Sequence, residues 1–134
     1  MRYLLDTNIC IYIIKRQSPE VLRRLESLPL GSAVMSVVSY AELRAGLEMQ
    51  TAHRAQEDRV LALLIQRIPV LPFGESDAIS FGVLRAAVRD RRRDTMNQLI
   101  AAHATGLGLT LVTHNETDFQ GYPGLMVENW VNSP

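Results

Sequence analysis

Short apolar runs alternate with longer amphipathic segments along the whole chain. The runs with the length and composition of buried strands cover residues 2–5, 33–36, 68–73 and 109–113, with a last short strand around 126–127. Prolines near both ends of the third run suit a strand at the edge of a sheet. Because helical segments separate the strands, we expect a short parallel sheet flanked by helices on both faces, which is a three-layer α/β/α domain.

Capping residues and apolar spacing mark the helices between these strands. The first three starts are predicted where a side chain can accept a hydrogen bond from a free backbone N–H group of the first turn, and the later helices are predicted from their apolar spacing. Glycines and prolines mark the ends. The predicted helices run from a cap at Thr7 or Asn8 to Arg16, from a cap at Ser18 to Leu28, from a cap at Ser39 through "YAELRAGLEMQ", over 52–67, over 75–91, and over 95–107 with Gly106 or Gly108 as the terminator.

The composition restricts the class of protein. A length of 134 residues favours one domain, and 47% hydrophobic residues are enough for a packed core. Because 14 basic residues balance 14 acidic ones, net charge argues neither for nor against nucleic acid. Cys10 is the single cysteine, which excludes an intrachain disulfide and fits a reducing cytoplasm. No apolar run approaches the roughly 20 residues that span a bilayer, so we expect no membrane segment.

Polar side chains follow three of the predicted strands. Asp6 comes directly after the first apolar run, Glu42 lies near the start of the helix after 33–36, and Asn115 follows 109–113. The carboxyl ends of parallel strands meet at one edge of a sheet, where ligands and reactions are placed in open α/β folds. Carboxylate and amide oxygens are the donors that a hard cation such as Mg²⁺ prefers. The sequence therefore predicts a cation site at this edge.

Five segments, taken in order, carry a resemblance to a known family. They are "YLLDTNICIYIIK", "SYAELRAGLE", "FGVLRAAV", "LIAAHATGLGLTLVTHNETDF" and "PGLMVENW". Together they resemble the VapC-type ribonuclease toxins of bacterial toxin–antitoxin pairs, which belong to the PIN-domain nucleases. The resemblance implies a single PIN domain over residues 1–134 that hydrolyses phosphodiester bonds of structured RNA, commonly tRNA, with Mg²⁺ or Mn²⁺.

The resemblance also implies a set of catalytic residues. Asp6 and Glu42 stand where the family has its first two metal-binding acids. Asn97 stands where the family has a third acid, and Asn115 stands at a fourth position that is often Asp or Asn. The roles that follow are metal ligands for Asp6, Glu42 and Asn97, orientation of a ligand or a water for Asn115, and a hydrogen bond to a ligand carboxylate for Thr113.

Asn97 is the main departure from the family pattern. Its amide oxygen can ligate a hard cation but carries no net charge, and a unit charge about 4 Å from another is worth roughly 4 kcal/mol at an effective dielectric of about 20. One explanation, which we prefer, is that the chain is an inactivated variant. The other is that Asn97 is native and that Asp94, three residues earlier on the same helix face, supplies the missing charge.

Each candidate also has a purely structural interpretation. Asp6 could serve only the dipole of the next helix, and Glu42 could serve only a capping box with Ser39. His103 and His114 invite a metal assignment, but His103 lies on an alanine-rich helix. The expectations for the remaining side chains are a packed or hydrogen-bonded His103, a turn or helix-cap role for Asp118, a surface position for His53 and a core position for Cys10.

The resemblance implies partners as well. A disordered tail of a cognate antitoxin would fold into an apolar groove, the antitoxin's other domain would bind operator DNA, and the toxin would form a homodimer. The helix "NICIYIIKR" is apolar nearly all round, so we expect a partner to cover the part that the core does not bury. The arginines that could follow an RNA backbone are Arg85, Arg89, Arg91, Arg92 and Arg93.

Other classes of function fit the sequence less well. With Asn97, the fold could be a catalytically silent module that binds RNA or a partner. An aspartyl-phosphate phosphohydrolase would need a second acid at the position of Asn8 and a lysine downstream, but Lys15 is the single lysine. A dinucleotide-binding domain is excluded because no G-x-G-x-x-G follows the first strand.

Overall fold

An all-parallel, five-stranded sheet lies between two layers of helices in a computed structural model that describes residues 1–50, 52–91 and 94–131. Within these ranges the strands are β1 (Tyr3–Leu5), β2 (Ala33–Ser36), β3 (Val70–Leu71), β4 (Thr110–Val112) and β5 (Met126–Glu128). The α-helices are α1 (Thr7–Lys15), α2 (Pro19–Ser27), α3 (Val37–Glu48), α4 (Arg54–Arg67), α5 (Glu75–Ala87) and α6 (Thr95–Leu107). A 3-10 helix covers Glu116–Phe119, and the strand order is β3-β2-β1-β4-β5.

Strand β1 is the centre of the sheet and is buried on both faces. Its side chains alternate between the two layers, as the pleat of a strand requires. Tyr3 and Leu5 pack into a core with residues of α1, α2 and α4, whereas Leu4 packs into a second core with residues of α5 and α6. Leu4 is in register with Val34 of β2 and Leu111 of β4. The predicted three-layer α/β/α architecture is confirmed, and so is the edge position of β3.

Two helices begin earlier than the sequence predicted. Asp6, not Thr7 or Asn8, caps α1, and its Oδ1 accepts a hydrogen bond from Ile9 N at 2.9 Å. Ser36, not Ser39, caps α3 by accepting from Val38 N at 3.0 Å. Both strands run directly into a helix without a loop, so the last residue of extended backbone is the one in position to cap.

The other corrections concern helix ends. Helix α5 stops at Ala87 rather than at 91, because Val88 leaves the helical conformation and its carbonyl accepts from Arg91 N at 2.9 Å in a turn. Helix α6 ends where predicted, but Gly108 with a φ of +68° is the terminating residue and Gly106 stays inside the helix. No helix in the described ranges is long and apolar enough to cross a membrane.

Gly106 lies against a buried acid at the contact between α5 and α6. Asp77 is 4% exposed, and its Oδ2 accepts a hydrogen bond from Gly74 N at 2.8 Å, which fixes the start of α5. A side-chain Cβ at position 106 would lie 2.9 Å from Asp77 Oδ1 and 3.0 Å from Ser80 Oγ. A Cβ at position 106 would therefore force the side chains of Asp77 and Ser80 to shift.

Replacing Gly106 with alanine should lower the free energy of unfolding. Overpacking costs about 1–3 kcal/mol, and it opposes a gain in helix propensity of about 1 kcal/mol. The matched control is Gly82→Ala on α5, where a Cβ meets open space and the gain should remain. Urea denaturation measures both variants, and equal stabilities would contradict this account of the helix contact.

Candidate active site

The candidate site lies at the carboxyl edge of the sheet, where β1, β2 and β4 end. Asp6 follows β1, and its backbone N–H still donates to Val112 O of β4 at 3.0 Å. Thr113 follows β4 and is fully buried. Because β1 is central and its two neighbours are reached by connections in opposite directions, a crevice for a ligand forms here in folds of this kind.

The Asp6 carboxylate is buried, with 4% of the residue exposed. Its Oδ1 accepts from Ile9 N, and it also has a hydrogen bond with the Thr113 side chain. Burial raises the pKa of Asp6 above its ordinary value, and the nearby Glu42 raises it further. The hydrogen bonds and His114 act in the opposite direction and do not overcome the burial. Ionising Asp6 therefore costs more free energy in the folded protein alone than in water.

Glu42 of α3 is the second acid of the site and is bound by a residue from α1. Thr7 Oγ1 donates to Glu42 Oε1 at 2.5 Å and lies 3.1 Å from Ser39 Oγ. The capping box predicted for Ser39 and Glu42 does not form, because α3 starts at Val37 and Ser39 is already inside the helix. The Glu42 carboxylate bonds to Thr7 instead, and it is near enough to Asp6 to raise the pKa of that acid.

Asn97 lies in the first turn of α6 and is paired with Asp94. Asp94 caps the helix: its Oδ1 accepts from Asn97 N at 3.3 Å, and its Oδ2 accepts from Asn97 Nδ2 at 2.7 Å. Both oxygens of Asp94 thus hold Asn97. Asp94 is not among the groups that shift the pKa of Asp6. In the described part of the chain, no three His, Cys, Asp or Glu side chains are grouped to hold a metal ion.

The segment after β4 brings two more polar side chains to the edge, Asn115 and His114. Asn115 is exposed, and its backbone N–H donates to Thr113 Oγ1 at 3.0 Å. His114 Nδ1 lies 2.9 Å from the Tyr12 hydroxyl of α1. The sequence predicted only helix-capping roles for Thr7 and Ser39, named His114 only as a residue that invites a metal assignment, and assigned no role to Tyr12 at the site. The sequence offers only a weak signal for these residues, because the role of each depends on a contact between elements that are far apart along the chain.

Several side chains with a structural expectation are where the sequence placed them. His103 is fully buried with Nδ1 2.7 Å from Ser36 Oγ, and burial lowers its pKa although Asp77 opposes the shift. Cys10 is fully buried, and burial raises the pKa of its thiol. His53 is exposed at the start of α4, and Asp118 lies in the 3-10 helix.

The arginine run is only partly available to a ligand. Arg91 donates to the backbone carbonyls of Asp118 and Gln120, and its guanidinium lies 4.6 Å from the centre of the Tyr122 ring. Arg91 therefore ties the loop after the 3-10 helix to the end of α5. Arg89 is exposed, whereas Arg92 and Arg93 lie outside the described residues.

Two neighbouring carboxylates that repel each other define the chemistry of this edge. A divalent cation between them would relieve the repulsion and the cost of ionising a buried acid, and carboxylate oxygens are donors that such a cation prefers. The residues present thus fit a hard cation, with one negative charge fewer than a site with three acids.

Comparison with known proteins gives the family. The PIN domain family model matches residues 3–125. Ribonuclease VapC2 of Rickettsia felis is 32% identical over 133 residues, which cover 97% of this chain and 98% of that protein. The tRNA(fMet)-specific endonuclease VapC of Salmonella typhimurium is 33% identical over 135 residues, which cover 97% of this chain and 98% of that protein.

Two solved structures share the fold over nearly the whole chain. VapBC2 from Rickettsia felis, bound to a DNA fragment from its promoter, superposes with a TM-score of 0.89 at 30% identity, covering 97% of this chain and 99% of that one. DNA-bound VapBC from Salmonella typhimurium superposes with a TM-score of 0.89 at 32% identity, covering 97% and 98%. The chain belongs to the PIN-domain family and, within it, to the VapC-type ribonuclease toxins.

The raised pKa of Asp6 predicts how stability depends on pH. Between the ordinary pKa of 3.8 and the raised value, the folded chain binds more protons than the unfolded chain, so stability without metal should fall as pH rises through this window. Asp6→Asn removes the charge but keeps an acceptor for the cap of α1. We therefore expect a higher Tm for Asp6→Asn at pH 7 in EDTA, measured by calorimetry.

Asp94→Asn is the matched control, because Asp94 is also a capping aspartate but is exposed. Its Tm should not rise. A Tm for Asp6→Asn at or below that of the unaltered chain would mean that Asp6 is not destabilising in the absence of metal.

Proposed function

We propose that this chain is the toxin of a toxin–antitoxin pair and a divalent-metal-dependent endoribonuclease, folded as a single PIN domain over residues 1–134. The observation that carries the proposal is the buried Asp6 carboxylate beside Glu42, which is costly to ionise unless a cation binds. The relatives named as ribonucleases support the class of reaction.

Each site residue then has a role set by its contacts. Asp6 is the central ligand, positioned by Ile9 N–H and the Thr113 side chain. Glu42, oriented by Thr7, either holds the cation or takes the proton of the attacking water. A bound divalent cation would neutralise phosphoryl oxygens and lower the pKa of a bound water. Asn115 orients a ligand or that water.

Asn97 is the third ligand in this proposal and a neutral one. Its Nδ2 is bonded to Asp94, so its Oδ1 is the atom available to a cation. An all-oxygen set that includes a neutral amide suits Mg²⁺ or Mn²⁺. We expect weak binding and low activity, because one carboxylate is missing.

The substrate we propose is structured RNA, with tRNA as the first candidate. One relative is named a tRNA(fMet)-specific endonuclease. Arg89 is exposed near the end of α5 and could contact a phosphate backbone, whereas the prediction for Arg92 and Arg93 lies outside the described residues. The basic residues lie on the segment that leads into α6, which carries Asn97.

The partner we propose is a cognate antitoxin seated in an apolar groove. The groove has a volume of about 180 Å³ and runs between α1, α3 and α4. Its apolar wall consists of Ile11, Ile14, Leu43, Leu47 and Leu61, and Glu42 lines it as well. An antitoxin segment there would approach the active site. By analogy with the VapBC complexes, we also propose a cytoplasmic homodimer that reaches operator DNA only through the antitoxin.

A second candidate is a catalytically silent PIN-fold module that binds RNA or a partner. Asn97 is the observation that favours it, because the described residues contain no group of three acidic or imidazole ligands. The two candidates differ in metal-dependent cleavage, which the silent module would lack.

Asn97→Asp should raise metal-dependent cleavage of bulk tRNA by at least about 100-fold, because it restores a full charge to the site. Reactions with Mg²⁺ or Mn²⁺ are compared with an EDTA control, and calorimetry measures metal affinity independently of cleavage. Asp94→Asn is the matched variant. Robust cleavage by the unaltered chain that Asp94→Asn abolishes would show that Asp94 is the working acid instead.

Ile14→Glu should weaken binding of the antitoxin from the adjacent reading frame by about 10-fold or more, because it puts a charge in the apolar wall of the groove. Titration calorimetry measures the affinity, and hydrogen exchange in α1 of the unaltered chain should slow when the antitoxin is added. Leu63→Glu is the control, since Leu63 is 65% exposed on α4 and does not line the groove. Equal losses in both variants would contradict the groove as the docking site.

A further inference from the structure

Tyr12 and His114 form a hydrogen-bonded aromatic pair between α1 and the segment after β4. The Tyr12 hydroxyl lies 2.9 Å from His114 Nδ1, and the two ring centres are 5.7 Å apart with the planes tilted by 57°. Both residues are half-buried. The pair is separated by 102 positions in the sequence, so the sheet topology alone brings the two residues together.

The contact couples the tautomer of His114 to the direction of the hydrogen bond with Tyr12. A neutral imidazole has one N–H donor and one acceptor nitrogen, and the bond made by one nitrogen sets the state of the other. Among the described residues, the Tyr12 hydroxyl has no other hydrogen bond, so its proton is available to Nδ1. When the hydroxyl donates to Nδ1, the proton of neutral His114 lies on Nε2, which has no hydrogen-bond partner in the described part of the chain.

The position of His114 puts this donor beside the proposed site. His114 directly follows Thr113, whose side chain bonds Asp6, and directly precedes Asn115. Its imidazole is near enough to interact electrostatically with the Asp6 carboxylate. When they are ionised, Asp6 and Glu42 are acceptors only and offer no hydrogen-bond donor to an RNA phosphate. A neutral N–H donor attracts a phosphate oxygen without adding a cation that would compete for the carboxylates.

We propose that His114 is a substrate-binding residue whose Nε2–H donates a hydrogen bond to a phosphate oxygen of the RNA, and that Tyr12 is the positioning residue that holds it in this tautomer. The inference rests on the proposed function and adds a residue to it. The proposed role of His114 requires a hydrogen-bond donor at the position of Nε2. A purely structural tie between α1 and the β4 segment would require only the bond at Nδ1.

Two substitutions of His114 separate these roles. A glutamine amide can place an N–H group near the position of Nε2, whereas an asparagine amide reaches only the position of Nδ1. The dissociation constant of bulk tRNA is measured by filter binding with the full chain in Mg²⁺. We expect His114→Asn to raise it by about 10-fold and His114→Gln by less than about threefold.

Tyr12→Phe tests the positioning role with a readout that does not depend on RNA. Nitrogen NMR of the His114 side chain distinguishes the two neutral tautomers, and spectra are recorded at pH 8.5 so that neutral forms are compared. The unaltered chain should show the proton on Nε2, and Tyr12→Phe should give a mixture. Tyr40→Phe is the control, because Tyr40 is also half-buried against the same core and is not part of the pair.

Three results would overturn the inference: a proton on Nδ1 in the unaltered chain, equal tRNA affinity for His114→Asn and His114→Gln, or no tRNA binding by the unaltered chain. None of these decides the proposed function. Metal-dependent cleavage by the Asn97→Asp variant tests that function separately, so a failure of one is distinguishable from a failure of the other.

Discussion

The hydrogen bond from Ile9 N to Asp6 Oδ1 joins the central strand to the first helix without a loop. It keeps the carboxylate at the end of β1, under the sheet edge, where 4% of the residue is exposed. The same carboxylate serves as a helix cap and as the central acid of the site. The structural interpretation of Asp6 and the functional one are therefore not alternatives, because a single geometry supports both.

Ionising Asp6 in this site costs free energy, and a bound cation would offset that cost. Burial and the proximity of Glu42 both oppose the ionised form of Asp6, and the neighbouring neutral groups offer only dipoles. Asn97 adds no charge, and both oxygens of Asp94 are hydrogen-bonded to Asn97. The electrostatic balance of the edge thus rests on two carboxylates, which limits how strongly it can attract a divalent ion.

Glu42 connects the site with the groove between α1, α3 and α4, because it lines both. The Thr7 hydroxyl that orients Glu42 comes from α1, the helix whose outer apolar residues form one wall of that groove. An occupant of the groove would contact the same two helices that position the acids. A partner in the groove would therefore lie next to the residues that position the acids, where it could change their orientation.

The sequence by itself determined the order of strands and helices, the parallel sheet and the family to which the chain belongs. Apolar periodicity and short sequence motifs indicate these features without any knowledge of contacts between distant residues. It also singled out Asp6, Glu42, Asn97 and Asn115, whose roles stay proposals. The tertiary structure decided that Ser36 rather than Ser39 caps α3, which left Glu42 to bond with Thr7. It also decided that Tyr12 meets His114 and that Gly106 meets Asp77. These contacts join residues that are distant along the chain, and they depend on how strands and helices pack, which no local pattern of residues encodes.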